Sequence, residues 1–273
     1  MKKRYFYLLL LPGFLFLTVF MVIPIAVAVI STFYQEGRLT VEGYQSFLTD
    51  SYFVGIFFLT LKISLLTTFI CMILGFPTAY YISKLRVKKK LIYIALAVFP
   101  LLTSPVVRSF SWMAVLGKDG IINNVLMNLN LVSNPVQFLY TEFAILVGLV
   151  HLFLPLMIIS LIGVMENIDE DLVKAAQSLG ASKLTAFMKV VVPLSVPGLV
   201  IGSVLVFVGS LTAYTTPQLL GGNVRVMATL LYQQSLTLND WYMASIIATI
   251  MIVATFVIIG LMNKMARILN PRG

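Results

Sequence analysis

The residue types that drive covalent chemistry are scarce in this chain and poorly spaced for it. There is one histidine, His151, and one cysteine, Cys71. Neither has companions at metal-ligand spacing, and no acid or nucleophile stands near the histidine in sequence. No G-x-x-x-x-G-K-[ST] loop is present to cradle phosphates. The single Gly-Lys pair, Gly117-Lys118, runs into Asp119. No acid–base pair or activated nucleophile is apparent, so enzymatic classes drop out. What the chain does offer is recognition chemistry. Ser104, Arg108, Ser111 and Trp112 fall at i, i+4, i+7 and i+8, which sets a guanidinium, two hydroxyls and an indole on one helical face. An arginine inside an apolar run is costly to bury; it takes a counter-ion, backbone carbonyls or a watery cavity. Lys62, the other cation in such a run, either snorkels to the interface or lines a path. His151 reads as helix–helix packing or hydrogen bonding, and Cys71 as a small buried side chain.

A second recognition surface lies in residues 166–198, ENIDEDLVKAAQSLGASKLTAFMKVVVPLSVPG. Asp169 can cap a helix whose first turn holds Glu170 and Asp171, where carboxylates suit the open N–H groups and the dipole. Leu172, Ala175, Ala176 and Leu179 then recur on one face. Gly180 stands where a C′ glycine would end the helix. Ser182 can cap a second short helix that runs to Pro193. The pattern predicts two short amphipathic helices meeting at a glycine, a knob that another protein could grip.

The elements that carry these groups are apolar runs. Hydrophobic residues make up 60% of the 273 and charged ones 11%, far below the quarter usual in soluble domains. Six runs are long enough to cross a bilayer: 5–31, 53–82, 91–116, 143–164, 190–213 and 242–262. The first follows a basic start and contains Ala26-x-Ala28, but it exceeds a signal-peptide core in length and reads as an uncleaved span. The fifth carries Gly202, Ser203, Gly209, Ser210 and Tyr214 along one face, suited to close helix approach or to bordering a pathway.

The net charge of +9 is a topology signal and not a nucleic-acid patch. With the N-terminus inside, fourteen lysines and arginines, from Lys2 to Arg272, fall on the inner side; only Arg38, Lys118 and Arg225 fall outside. That asymmetry places both termini and the 166–189 loop in the cytoplasm. The segments 32–52, 117–141 and 215–240 are then external. No internal repeat is seen, so an inverted-repeat carrier gains no support.

At Ala175-Ala176, Gly180 and Val190-x-Val192-Pro193 the chain resembles the permease subunits of binding-protein-dependent ABC importers. Their cytoplasmic EAA loop has the pattern E-A-A, three residues, G, nine residues, I-x-L-P. Lys174 stands here for the glutamate, Val190 for the isoleucine and Val192 for the leucine. The resemblance runs from about Thr60 onward and is similar to the spermidine/putrescine-type permeases at 105–123 and 213–222. It implies an all-α polytopic permease of the type I importer kind, a single domain over 1–273 with six spans and a cytoplasmic coupling loop at 166–189. Leu172, Lys174, Ala175, Ala176, Leu179, Gly180 and Pro193 would couple to an ATPase. Ser104, Arg108, Ser111, Trp112, Ser210 and Tyr214 are candidates for the solute path. The implied setting is a bacterial inner membrane, with cytoplasmic ATP-binding subunits that hold ATP and Mg, a second homologous permease and an extracytoplasmic solute-binding protein. No cofactor is expected in this chain. A polyamine is the expected solute, with a small anion, an amino-acid derivative or iron(III) as alternatives. An autonomous secondary carrier or channel is the rival class; it usually needs acidic groups or broken helices at mid-membrane, and no acid falls deep in a span.

Overall fold

The computed structural model describes residues 3–35 and 37–269, and almost all of its regular structure is helical. Lys2, Glu36 and Arg272 lie outside the described residues. In chain order come α1 (Lys3–Leu17), a π-helical turn (Thr18–Val22), α2 (Ile23–Ser31), a two-stranded hairpin and α3 (Glu42–Thr49). Next are α4 (Ser51–Ser83), α5 (Val87–Leu102), α6 (Pro105–Leu116), α7 (Ile121–Asn128) and α8 (Glu142–Met165). Then follow α9 (Glu170–Ser178), α10 (Lys183–Ala186), a second π turn (Phe187–Val191) and α11 (Val192–Leu194). The rest is α12 (Val196–Thr212), α13 (Thr215–Leu220), α14 (Met227–Tyr232), a third π turn (Gln233–Thr237) and α15 (Trp241–Leu269).

Prolines decide where these helices loosen or break. Two π turns end just before one, at Pro24 and Pro193. A proline ring clashes with the carbonyl four residues back, and widening the turn moves that carbonyl aside. Ile23 N–H accordingly donates to Thr18 O, and Val192 N–H to Phe187 O, each five residues back. Pro105 acts more drastically. It lacks a donor and holds Ser104 extended, at φ −56° and ψ 132°. The expected third span, 91–116, is therefore not one helix: α5 stops at Leu102 and the next helical run leaves at 94° to it. The expected fifth span, 190–213, is likewise bent by 60°, at Ser195 between Pro193 and Pro197. Its short helix does not end at Pro193, as the sequence suggested, but runs on to Leu194.

The other long runs are Leu10–Ser31, Ser51–Ser83, Glu142–Met165 and Trp241–Met265. Among the described residues, four helices are long and apolar enough to cross a membrane, and the two bent pairs raise the number to six. α4 continues through Pro77 without interruption.

The described chain groups into two compact units. One comprises Met1–Gly55 and Leu230–Val253. Its hairpin pairs Tyr34–Gln35 with Arg38–Leu39, and Phe47 of α3 stacks on Phe53 with ring centres 5.4 Å apart. Ile246 and Tyr242 press on Gly43 so closely that a Cβ there would collide with both.

The larger unit, Ile56–Thr229 with Ala254–Gly273, is built round α8. Met157, Leu161 and Met165 of α8 are fully buried with Cys71, Ala79 and Ile82 of α4 and Val206 of α12. The small-residue face of α12 meets α8 directly. A Cβ at Gly198 would sit 3.0 Å from Ser160 O, and one at Gly202 2.6 Å from Met157 Sδ. Gly148 of α8 admits Thr216 and Leu220 of α13 in the same way. Of the small residues that the sequence sets along the fifth span, Gly202 is thus used for close helix approach, as is Gly209 against the Phe153 ring of α8.

Candidate functional site

The segment between α8 and α12 folds as its local signals dictate. Asp169 caps α9, its Oδ1 accepting from Asp171 N–H at 2.9 Å. Gly180 takes φ +90°, a left-handed value that favours glycine. Around it, Gly180 N–H donates to Gln177 O at 2.9 Å and Ala181 N–H to Ala176 O at 3.1 Å. That is a Schellman closure, which satisfies two of the open carbonyls of α9. Ser182 then caps α10 by accepting from Thr185 N–H at 3.1 Å. The outcome is a two-faced elbow. Leu172, Leu179, Leu184 and Met188 are exposed, Leu179 to 89%. Ala186 and Val191 are buried, and Ile168 packs on the α4–α8 core. Ala175 and Lys174 are exposed beside Leu172, with Ala176 half-buried. Lys174 binds Asp171 one turn back at 2.9 Å.

Residues far away in sequence hold this elbow. Phe187, in the π turn, meets Tyr80 and Phe76 of α4 edge-on, with ring centres 5.0 and 5.9 Å away. Edge-to-face pairs contribute about 0.5–1.5 kcal/mol each beyond buried area. Lys84 Nζ binds Glu170 Oε1 at 2.9 Å, and Lys90 Nζ binds Glu166 Oε1 at 3.2 Å. The hydrogen bond from Lys84, and then its charge, draws the Glu170 carboxyl below its ordinary pKa. The hydrogen bond to Asp171 and that group's charge raise Lys174 above its own. Partly exposed ion pairs hold weakly, so the aromatic contact outweighs them. Phe187, Lys84 and Lys90 were not singled out from sequence as part of this site.

At the broken third span, Arg108 closes the gap that Pro105 opens. Its Nη1 donates to Pro100 O, which also accepts from Thr103 Oγ1 at 2.8 Å. A cation at the open end of α5 complements the helix dipole. Of the partners expected for a buried arginine, a backbone carbonyl and a cavity are both observed. The Arg108 side chain is buried, and Nε and Nη2 find no partner among the described residues. It lines a cavity of about 340 Å³ with Ser111, Trp112, Phe99, Val107 and His151. Trp112 Nε1 donates to His151 Nδ1 at 3.0 Å, so the histidine makes the helix–helix hydrogen bond that its position suggested.

The other candidates for that path are not in this cavity. Ser104 is exposed at the N-cap of α6, and Ser210 is buried in α12. Tyr214 packs on the cluster of Ile63, Ile145 and Leu149. Lys62 binds Glu142, at the start of α8, at 2.7 Å.

Four long apolar helices and two proline-broken pairs, joined by a capped elbow with an exposed apolar face, define a multi-pass membrane protein. Residues 14–272 match the model of the family described as binding-protein-dependent transport system inner membrane component. The chain belongs to that family and is a permease subunit of an ABC importer, not an enzyme. It is 29% identical over 267 residues to the spermidine/putrescine transport system permease protein PotB of Haemophilus influenzae, covering 95% of this chain and 93% of that one. A probable sulfate transport system permease protein, cysT, of Prototheca wickerhamii is 29% identical over 207 residues, 75% of this chain and 79% of that one. The fold is shared with a chain in the crystal structure of a bacterial alginate ABC transporter in complex with an alginate pentasaccharide-bound periplasmic protein. There the TM-score is 0.80 at 19% identity, over all of this chain and 97% of that one.

Proposed function

We propose that this chain is one permease half of an importer for a small solute, driven through its 166–189 elbow. The observation that carries the reading is the exposed apolar face of Leu172, Leu179 and Leu184 on a segment capped at every turn. A rigid knob with an uncovered apolar face fits a socket on a cytoplasmic ATP-binding subunit. ATP and Mg would be held there and not in this chain. Closure of two such subunits would displace two elbows, this one and that of a second, homologous permease. The displacement would switch access to a path between the permeases near Arg108, Ser111, Trp112, Ser104, Ser210 and Tyr214. An extracytoplasmic binding protein would deliver the solute, a reading supported by the fold shared with the alginate transporter, which is seen in complex with a periplasmic protein. Both termini and the elbow then face the cytoplasm.

Likeness to the spermidine/putrescine permeases supports a polyamine as the solute. Nε and Nη2 of Arg108, which find no partner among the described residues, in a cavity with no acid among its described lining residues, favour the second reading, a small anion. Isothermal titration of the cognate binding protein with spermidine, putrescine and inorganic sulfate separates the two. Polyamine binding is expected, and sulfate binding alone would reverse the choice. Uptake in cells should stop on ATP depletion and survive an uncoupler. Uptake that an uncoupler stops would return the chain to the secondary carriers.

A further inference from the structure

The elbow directly adjoins α8 and α11 in sequence, yet its aromatic contacts are with α4. Phe76 and Tyr80 lie one turn apart on that helix, and the Phe187 ring meets both edge-on, at interplanar angles of 89° and 75°. The grip exists because the π turn at Phe187–Val191 inserts a wide turn ahead of Pro193. Phe187 points at α4 while Leu184 and Met188 stay exposed. Two ion pairs also tie this segment to its neighbours: Lys84, just past the end of α4, holds Glu170, and Lys90, in the first turn of α5, holds Glu166. On the other side of the elbow the chain bends by 60° at Ser195 before α12 begins. A push on the elbow therefore meets a bend in the direction of α12 and packed rings in the direction of α4.

We propose that Phe187 is a positioning residue that makes the elbow and α4 move as one body, so that the second span and the start of the third receive the stroke directly. The Lys84–Glu170 and Lys90–Glu166 pairs add to the tie between the elbow and the α4–α5 segment. Ser195, its Oγ donating to Val191 O at 2.7 Å, is where α12 is free to change angle. This inference rests on the docking reading above, because without a docked ATPase the elbow has no stroke to pass on.

The experiment uses the complete transporter purified with its ATPase and reconstituted in lipid. Spin labels are placed at Tyr81 and Ser178, both exposed, in a Cys71→Ala background. The distance between the labels is measured by pulsed spectroscopy with and without ATP and vanadate. In the parent the distance should be unchanged by nucleotide. In Phe187→Ala it should shift or broaden on nucleotide addition, while the ATPase still co-purifies because Leu172, Leu179 and Leu184 are untouched. Phe187→Tyr, which keeps the ring, should restore the parent behaviour. Should Phe187→Ala fail to assemble, Tyr80→Leu with Phe76→Leu removes the same contact from the α4 side and is read in the same way. A nucleotide-dependent distance in the parent, or an unchanged one in both contact-deleting variants, overturns the inference. Loss of ATPase co-purification from the parent itself overturns the docking reading instead and takes this inference with it.

Discussion

The elbow's ionic ties have opposite pH signs and overlap at neutrality. Glu170 has its pKa lowered by the Lys84 hydrogen bond and charge. Its contribution is present above its ordinary pKa of 4.5 and fades only as pH falls through the depressed value. Lys174 has its pKa raised by Asp171. Its contribution is complete below 10.5 and fades only as pH climbs past the raised value. Hydrogen exchange at the α9 amides, corrected for intrinsic rate, should therefore be flat from about pH 5 to 9, inside both limits. Salt at about 1 M, with a screening length near 3 Å, should loosen them. Gly180 gives a separate test. A Cβ there would touch nothing within 4 Å, but φ is +90°, so alanine and tryptophan incur the same backbone cost of about 1–2 kcal/mol. Gly180→Ala should retain part of the uptake and Gly180→Trp should abolish it with the subunit still inserted; equal loss would mean that bulk at the socket plays no part. Asp169, Gly180 and Ser182 were legible in the sequence because their hydrogen bonds close within three or four residues. Phe187 was not, because the rings it meets lie more than a hundred positions earlier and no local pattern records them.

Hydropathy located the apolar runs and missed their breaks, since a window average counts side chains and a break is made by the backbone. Pro105 and Pro193 were visible in the sequence, but the 94° and 60° bends also required Ser104 to be extended and Ser195 to find a partner in Val191. The packing of α12 on α8 was better marked, because only small residues allow the approach. Three glycines make that measurable. A side chain at Gly198 meets Ser160 O and Val164, one at Gly209 meets the Phe153 ring, and one at Gly163 meets nothing. Gly198→Leu and Gly209→Leu should each lower stability in mild detergent by about 1–3 kcal/mol, the usual cost of overpacking. Gly163→Ala should lie within about 0.5 kcal/mol of the parent, as substitutions free of new contacts do. Equal losses at all three positions would show that the Gly198–Gly209 face is not the seam between these helices.

Orientation is a property of the whole chain, and no single contact reveals it. The two ties across the elbow take their cations from the basic run 84–90, which covers the α4–α5 junction and the first turn of α5. Elbow and junction must therefore share one side of the membrane. The Asp119-Gly120 turn follows α6, at the far end of the third span, so it belongs to the opposite side if that bent span crosses. The charge count is what predicts which side is which: with the N-terminus inside, basic residues crowd the elbow's side, and Lys118 is one of only three expected on the other. Cys71 is fully buried, so the unmodified chain gives a quiet background for thiol labelling. A membrane-impermeant maleimide should modify Ser178→Cys in inside-out vesicles and spare it in sealed right-side-out ones, with Asp119→Cys reacting in the reverse sense. Both positions are exposed, so failure to react reports sidedness and not burial. Labelling of Ser178→Cys from outside would leave the elbow's fold intact and remove the side on which nucleotide is found. Labelling of both positions from one side would mean that the bent third span turns back without crossing.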